Sequence, residues 1–128
     1  MKKKILIVIA DYYKDISSGL LSSAKKELNK PVNLIYVPGV FEIPIIIAKN
    51  IKKYDAFIAL GCVIKGQTPH FNFISKAAIN GIMKLSIKSK KPIGNGIITC
   101  LNKKQALARR KKGKEAARAV LSILNNFK

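Results

Sequence analysis

Histidine occurs once in this chain, as His70, and it directly follows the run Lys65-Gly66-Gln67-Thr68-Pro69. An imidazole takes up and returns a proton near neutral pH. A loop of glycine, amide and hydroxyl residues entering a helix exposes N–H and O–H donors to an anion. A lone histidine is more often a cap or a solvated side chain, but an anion loop beside a proton carrier tips the balance toward function. Glu42, one of only six acids, suits a helix's first turn or accepts hydrogen bonds from ligand hydroxyls, and the two roles are compatible. Tyr12 stands just past a strand end, where its ring either packs or offers a flat surface to a heteroaromatic ligand. Arg109, Arg110, Lys111 and Lys112 form a basic run. It is a solvated face or contains a phosphate clamp, and nothing in the run says which member acts. The chain has no GxSxG, P-loop or GxGxxG pattern. One histidine with scattered acids does not suit the usual protein metal site, and no motif marks a redox cofactor. Neither a metal nor a cofactor is expected.

The elements that must hold these residues alternate. Ile5 to Ala10 is a continuous apolar run, a buried strand. Ile16, Leu20, Leu21, Ala24 and Leu28 then recur at helical spacing, with Asp15, Ser17 or Ser18 placed to cap and Pro31 to stop the helix. Val32 to Val37 is a second strand, closed by Pro38-Gly39. Glu42 and Pro44 suit the first turn of a helix that continues over Ile45 to Ile51. Asp55 to Ile64 is the third strand. A long helix follows the Lys65–Pro69 loop, with Ile74, Ala77, Ala78, Gly81, Ile82 and Leu85 on one face. Pro92 to Thr99 is the fourth strand. Asn102 caps a short helix over Lys104 to Arg110, and a last helix carries Ala117, Val120, Leu121 and Leu124.

Four continuous apolar strands joined by helices imply a parallel sheet covered on both faces. The expectation is one domain over 1–128: α/β, a three-layer, doubly wound, four-stranded parallel sheet of flavodoxin-like type. Ligands of such sheets sit beyond the strands' carboxyl ends, and every chemically distinctive stretch follows a strand.

Bulk composition excludes more than it assigns. A hydrophobic fraction of 48% over 128 residues is enough for a core and too high for disorder. A unit this small leaves apolar surface near water, so an oligomer is plausible. The 25 Lys+Arg against 6 Asp+Glu give a net charge of +19, which alone suits nucleic acid or another anionic partner. The bases are spread over all elements without an aromatic-interleaved stripe, so a nucleic-acid partner is not expected. Cys62 and Cys100 end apolar runs, where free cysteine behaves as a small hydrophobe. Lys2-Lys3-Lys4 followed by Ile5–Ala10 superficially resembles a signal peptide, but the run is too short and Asp11 follows it. With no span-length apolar segment, a cytoplasmic protein without a membrane partner is expected.

Three stretches resemble the 6,7-dimethyl-8-ribityllumazine synthase family. Val37 to Pro44, VPGVFEIP, is similar to the family's VPGAFEIP, with Val40 in place of Ala. Asp55 to His70, DAFIALGCVIKGQTPH, is similar to its third strand and phosphate loop. Asn95 to Thr99, NGIIT, resembles its NGVLT variant. Order and spacing agree, and with weaker similarity elsewhere the resemblance covers nearly the whole chain. It implies condensation of 5-amino-6-(D-ribitylamino)uracil with 3,4-dihydroxy-2-butanone 4-phosphate to 6,7-dimethyl-8-ribityllumazine, phosphate and water, without a cofactor. Related archaeal-type riboflavin synthases share the fold but act on lumazine, and they have no need of a phosphate loop such as GQTPH.

The resemblance also implies residue roles. Tyr12 stacks on the pyrimidine. Val40, Phe41 and Glu42 line the ring and ribityl site, and Val63 and Ile64 lie along the ring with backbone groups available. Gln67 and Thr68 hold the phosphate, and His70 moves the proton. Asn95 and Arg109 reach the ring and the phosphate from a neighbouring subunit, and Lys112 before Gly113 resembles the family's NKG lysine. A homopentamer with shared sites is implied. Two departures stand out. The stretch between Arg109 and Gly113 is shorter than usual, so Arg110 is an alternative phosphate ligand. An N-terminal extension that pairs with a neighbour's sheet is expected to be missing.

Overall fold

The computed structural model of the chain describes residues 3–66 and 71–127. The elements run β1 (Ile5–Ala10), α1 (Lys14–Leu28), β2 (Asn33–Val37), a 3-10 turn (Val40–Glu42), α2 (Ile43–Lys49), β3 (Ala56–Ile64), α3 (Phe71–Ser89), β4 (Ile93–Cys100), α4 (Lys103–Ala108) and α5 (Lys112–Asn126). All strand pairs are parallel, in the order β2-β1-β3-β4. This is the expected three-layer, doubly wound α/β sheet of flavodoxin-like type.

The layers follow from alternation along each strand. Ile5, Ile7 and Ile9 of β1, with Ile58, Leu60, Cys62 and Ile64 of β3, face α1, α4 and α5. Leu6, Val8 and Ala10, with Phe57, Ala59 and Val63, face the 3-10 turn, α2 and α3. A central strand that must bury both faces reads as an unbroken apolar run, and all nine residues of β3 are buried. Each fully buried Ile or Leu contributes roughly 1.5–3 kcal/mol by transfer from water.

Several local expectations are corrected. None of Asp15, Ser17 and Ser18 caps α1: the cap position is Tyr13, with no side-chain cap bond. Ser17 is buried, and its hydroxyl instead donates to the carbonyls of Ala10 (2.8 Å) and Tyr13 (2.9 Å), satisfying groups where β1 gives way to α1. α1 ends at Leu28 because Asn29 turns left-handed (φ 50°), before Pro31 is reached. On α3, Ala77 is exposed while Ser75 is buried. The Ser75 hydroxyl donates to the Phe71 carbonyl at 2.8 Å, which lets a polar residue take an inward position. Asn102 does cap α4, its Oδ1 accepting from the Gln105 N–H at 2.9 Å. No described helix is long and apolar enough to cross a membrane.

Candidate active site

The sheet order reverses between β1 and β3, and such reversals open a crevice beyond the strand ends. β1 pairs with β3 only as far as Ile9↔Leu60, whereas β3 stays paired with β4 through Ile64↔Cys100. Residues 61–64 therefore overrun β1, with one backbone edge bonded to β4 and the other facing the crevice. An unpaired strand edge presents N–H and C=O groups, which suit the donor–acceptor rim of a planar heterocycle. Val63 and Ile64 lie in this overhang. Their side chains turn to opposite faces and both are buried, so it is backbone that they offer.

The 3-10 turn is seated on the sheet beside this edge. A Cβ at Gly61 would stand 2.7 Å from Val40 Cγ2 and 3.2 Å from Ala10 Cβ, so only glycine lets Val40 sit so low. With Val40 buried beneath it, Phe41 projects outward at 61% exposure. Glu42 is half-buried, and its carboxylate lies back toward Gly39, where a Cβ would approach Oε1 to 3.1 Å. Ion pairs among the described residues use Asp15, Glu27 and Glu115, leaving Glu42 able to accept from a ligand.

Tyr12, following β1, is 71% exposed. Its ring stands edge-on to Tyr13, with centroids 4.9 Å apart and planes at 82°. Tyr13 packs on the α1–α5 side of the core. Its hydroxyl is the one buried side-chain polar atom without a hydrogen bond among the described residues. Burial pushes that hydroxyl's pKa up, with Tyr12 and Cys62 adding to the effect. Burial also pushes the Cys62 thiol up to about 12, with Cys100 beside it adding to the shift. A thiol held so firmly protonated is no nucleophile, and both cysteines are the packing residues expected.

The basic run divides in two. Arg110 turns to α1, packing across Gly19 while its Nε donates to the Leu107 carbonyl at 2.9 Å. Arg109 turns to the end of β4, where Nη1 donates to the Thr99 carbonyl at 3.3 Å and lies 3.9 Å from Cys100 Sγ. Lys112 Nζ pairs with Glu115 at 3.4 Å. Arg109, Lys111 and Lys112 border a cleft of about 480 Å³ against Ile97–Thr99.

Val40, Phe41 and Glu42 thus stand beside the free backbone edge of Val63 and Ile64, and Tyr12 lies two residues past the end of β1. Arg109 and Lys112 stand at the end of β4 on the α4–α5 side of the sheet. Asn95 is the third residue of β4, exposed, with Oδ1 accepting from the Ile97 N–H at 3.0 Å. At about 3.3 Å per residue it lies roughly 16 Å below that strand's end, on the α3 side of the sheet with Ile93 and Ile97. Gln67, Thr68 and His70 lie outside the described residues. Gly61, Tyr13 and Gly19 were not among the expected site residues. Of these only Gly61 carries a signal, since a glycine inside a strand run marks close backbone approach.

A family model described as 6,7-dimethyl-8-ribityllumazine synthase matches residues 2–128. The chain is 43% identical to 6,7-dimethyl-8-ribityllumazine synthase 1 of Rhodopseudomonas palustris, covering 94% of this chain and 83% of that one. It is 40% identical to the synthase of Agrobacterium fabrum, over 96% and 93% of the two chains, and 35% identical to that of Corynebacterium kroppenstedtii, over 98% and 85%.

Proposed function

The chain belongs to the 6,7-dimethyl-8-ribityllumazine synthase family, and we propose that it performs that synthesis at sites shared between neighbouring copies, in the crevice between β1 and β3. It is an enzyme of riboflavin biosynthesis that forms 6,7-dimethyl-8-ribityllumazine. The observation that carries the assignment of the site is the overhang of β3 beyond Ile9↔Leu60, flanked by Tyr12 and the Val40–Glu42 turn.

The pyrimidine lies along the backbone of Val63 and Ile64 and stacks on Tyr12, and Glu42 accepts from ribityl hydroxyls. Gln67, Thr68 and Arg109 bind the phosphate of the butanone. Arg109 rather than Arg110 takes that role, because Arg110 is spent on Leu107 and packed over Gly19, whereas Arg109 keeps guanidinium donors beyond the one used on Thr99. The amine of the uracil adds to the ketone carbonyl and loses water to give an imine. Phosphate leaves, and the ribityl nitrogen closes the ring with loss of a second water. Most of the catalysis is positioning of the two reactants. His70, next to the phosphate loop, carries the protons. The reaction takes place in the cytoplasm in a homopentamer, in which Asn95 and Arg109 of one copy complete a neighbour's crevice.

Two measurements test this. The condensation assay with His70→Ala should show slowed turnover with pyrimidine binding largely spared. Tyr12→Ala and Arg109→Ala chains, each weak alone, should regain about a quarter of wild-type activity when unfolded and reassembled at equal ratio, since random mixing leaves that share of shared sites intact. No regain places Tyr12 and Arg109 in one chain's site and defeats the shared arrangement.

A further inference from the structure

We infer that Gln105 is a positioning residue that sets where the Arg109 guanidinium stands and thereby governs capture of the phosphate-bearing substrate; this rests on the reading of Arg109 given above. Arg109 is the C-cap of α4, its N–H bonded to the carbonyls of Gln105 and Ala106, both at 3.1 Å. A helix of six residues does not hold its own direction in water; Ala106 and Leu107 seat α4 on the core, and its direction on that seat depends on how its base is anchored.

That anchor is a reciprocal pair of bonds. Asn102 Oδ1 accepts from the Gln105 N–H at 2.9 Å, and Gln105 Oε1 accepts from the Leu101 N–H at 2.8 Å. This is the logic of a capping box, with the return bond reaching back to Leu101, the residue directly after β4. It ties the base of α4 to the strand's end. Arg109 ties its far end to the same strand through Thr99. The other attachments do not replace the first tie. The Lys103–Asp15 pair is exposed on both sides and such pairs contribute little. Arg110 on Gly19 fixes the chain after Arg109, not the turn before it.

The test is the steady-state KM for each substrate in the assembled enzyme, with the Ki of inorganic phosphate as a separate probe. Gln105→Ala should raise the butanone phosphate KM and the phosphate Ki roughly three- to tenfold, the range for losing one hydrogen bond, and leave the pyrimidine KM unchanged. Gln105→Glu still accepts from Leu101 and should stay near wild type, and Asn102→Ala should shift the same two constants as Gln105→Ala. In an Arg109→Ala background, Gln105→Ala should add nothing. An unchanged phosphate Ki in Gln105→Ala overturns the inference where Arg109→Ala does raise it. So does a further rise in the double variant, or an equal rise in the pyrimidine KM. An unchanged Ki in Arg109→Ala itself refutes the role of Arg109, and the inference with it.

Discussion

Gly61→Ala separates the seating of the ligand turn from all other features of the crevice. The added methyl would lie 2.7 Å from Val40 Cγ2, 3.2 Å from Ala10 Cβ and 3.7 Å from Ile43 Cδ1. Carbon atoms in good contact stand about 3.5–4.0 Å apart, so Val40 must yield by about 1 Å. It cannot do so by a cheap rotamer change, because it is β-branched and buried. The turn must lift, carrying Phe41 and Glu42 with it. Overpacking of this kind costs about 1–3 kcal/mol, read as a lowered urea midpoint with the slope unchanged. A displacement of about 1 Å in a positioning group can slow turnover about a hundredfold. The pyrimidine KM should therefore rise and kcat fall, while the Ki of inorganic phosphate stays put, because none of the proposed phosphate ligands, Gln67, Thr68 and a neighbouring copy's Arg109, is carried by the turn. Wild-type stability and pyrimidine KM in Gly61→Ala would refute the idea that this glycine seats the turn.

Tyr13→Phe keeps the ring against which Tyr12 stands and deletes the unpaired buried hydroxyl. It should stabilise the protein by about 1 kcal/mol and leave the pyrimidine KM unchanged, and a lowered melting temperature would show the hydroxyl to be satisfied in solution. Cys62 titrates near 9.0 when unfolded and at about 12 in the fold. The native state keeps a proton that the unfolded chain loses, so stability should decline as pH rises from about 9 toward 12. Urea midpoints across that range should fall less steeply in Cys62→Ala, whatever its baseline. Asp15 has the opposite sign. Its hydrogen bond from Lys103 holds the carboxyl below its ordinary 3.8, so its contribution is present above that value and lost in acid. Lys103→Ala should flatten the acid limb of the stability curve.

The architecture was open to reading because a parallel sheet covered on both faces demands unbroken apolar strands, and β1 and β3 are written that way. Boundaries agreed to within a residue or two. The errors at Ser17 and Ser75 share one physical origin. Serine near a helix start is a capping signal only while its hydroxyl has no better acceptor, and Ser17 finds the Ala10 carbonyl at the end of β1. Ser75 displaces Ala77 from the inward face because it can bond back to Phe71. Each outcome depends on an acceptor's position, and that position is a product of folding. Gly61 likewise marked a close approach without naming Val40 as the neighbour.

The run Arg109 to Lys112 shows the same limit where it matters for chemistry. Adjacent side chains on a turn point in different directions, so charge alone cannot choose between Arg109 and Arg110. Gly19 separates their directions: without a side chain there, α1 gives Arg110 a floor to pack on, and Arg109 is left to face the strand end. Asn95 carries the argument further. An edge strand has one flank paired within its own sheet and one flank bare. A residue exposed roughly 16 Å below the end of β4 cannot reach round to a crevice opened on the far side of β3. The ligand proposed for Asn95 therefore lies in another copy's crevice. With β4 at the edge of the order β2-β1-β3-β4, the role proposed for Asn95 requires an oligomer, where the small size of the chain only allows one.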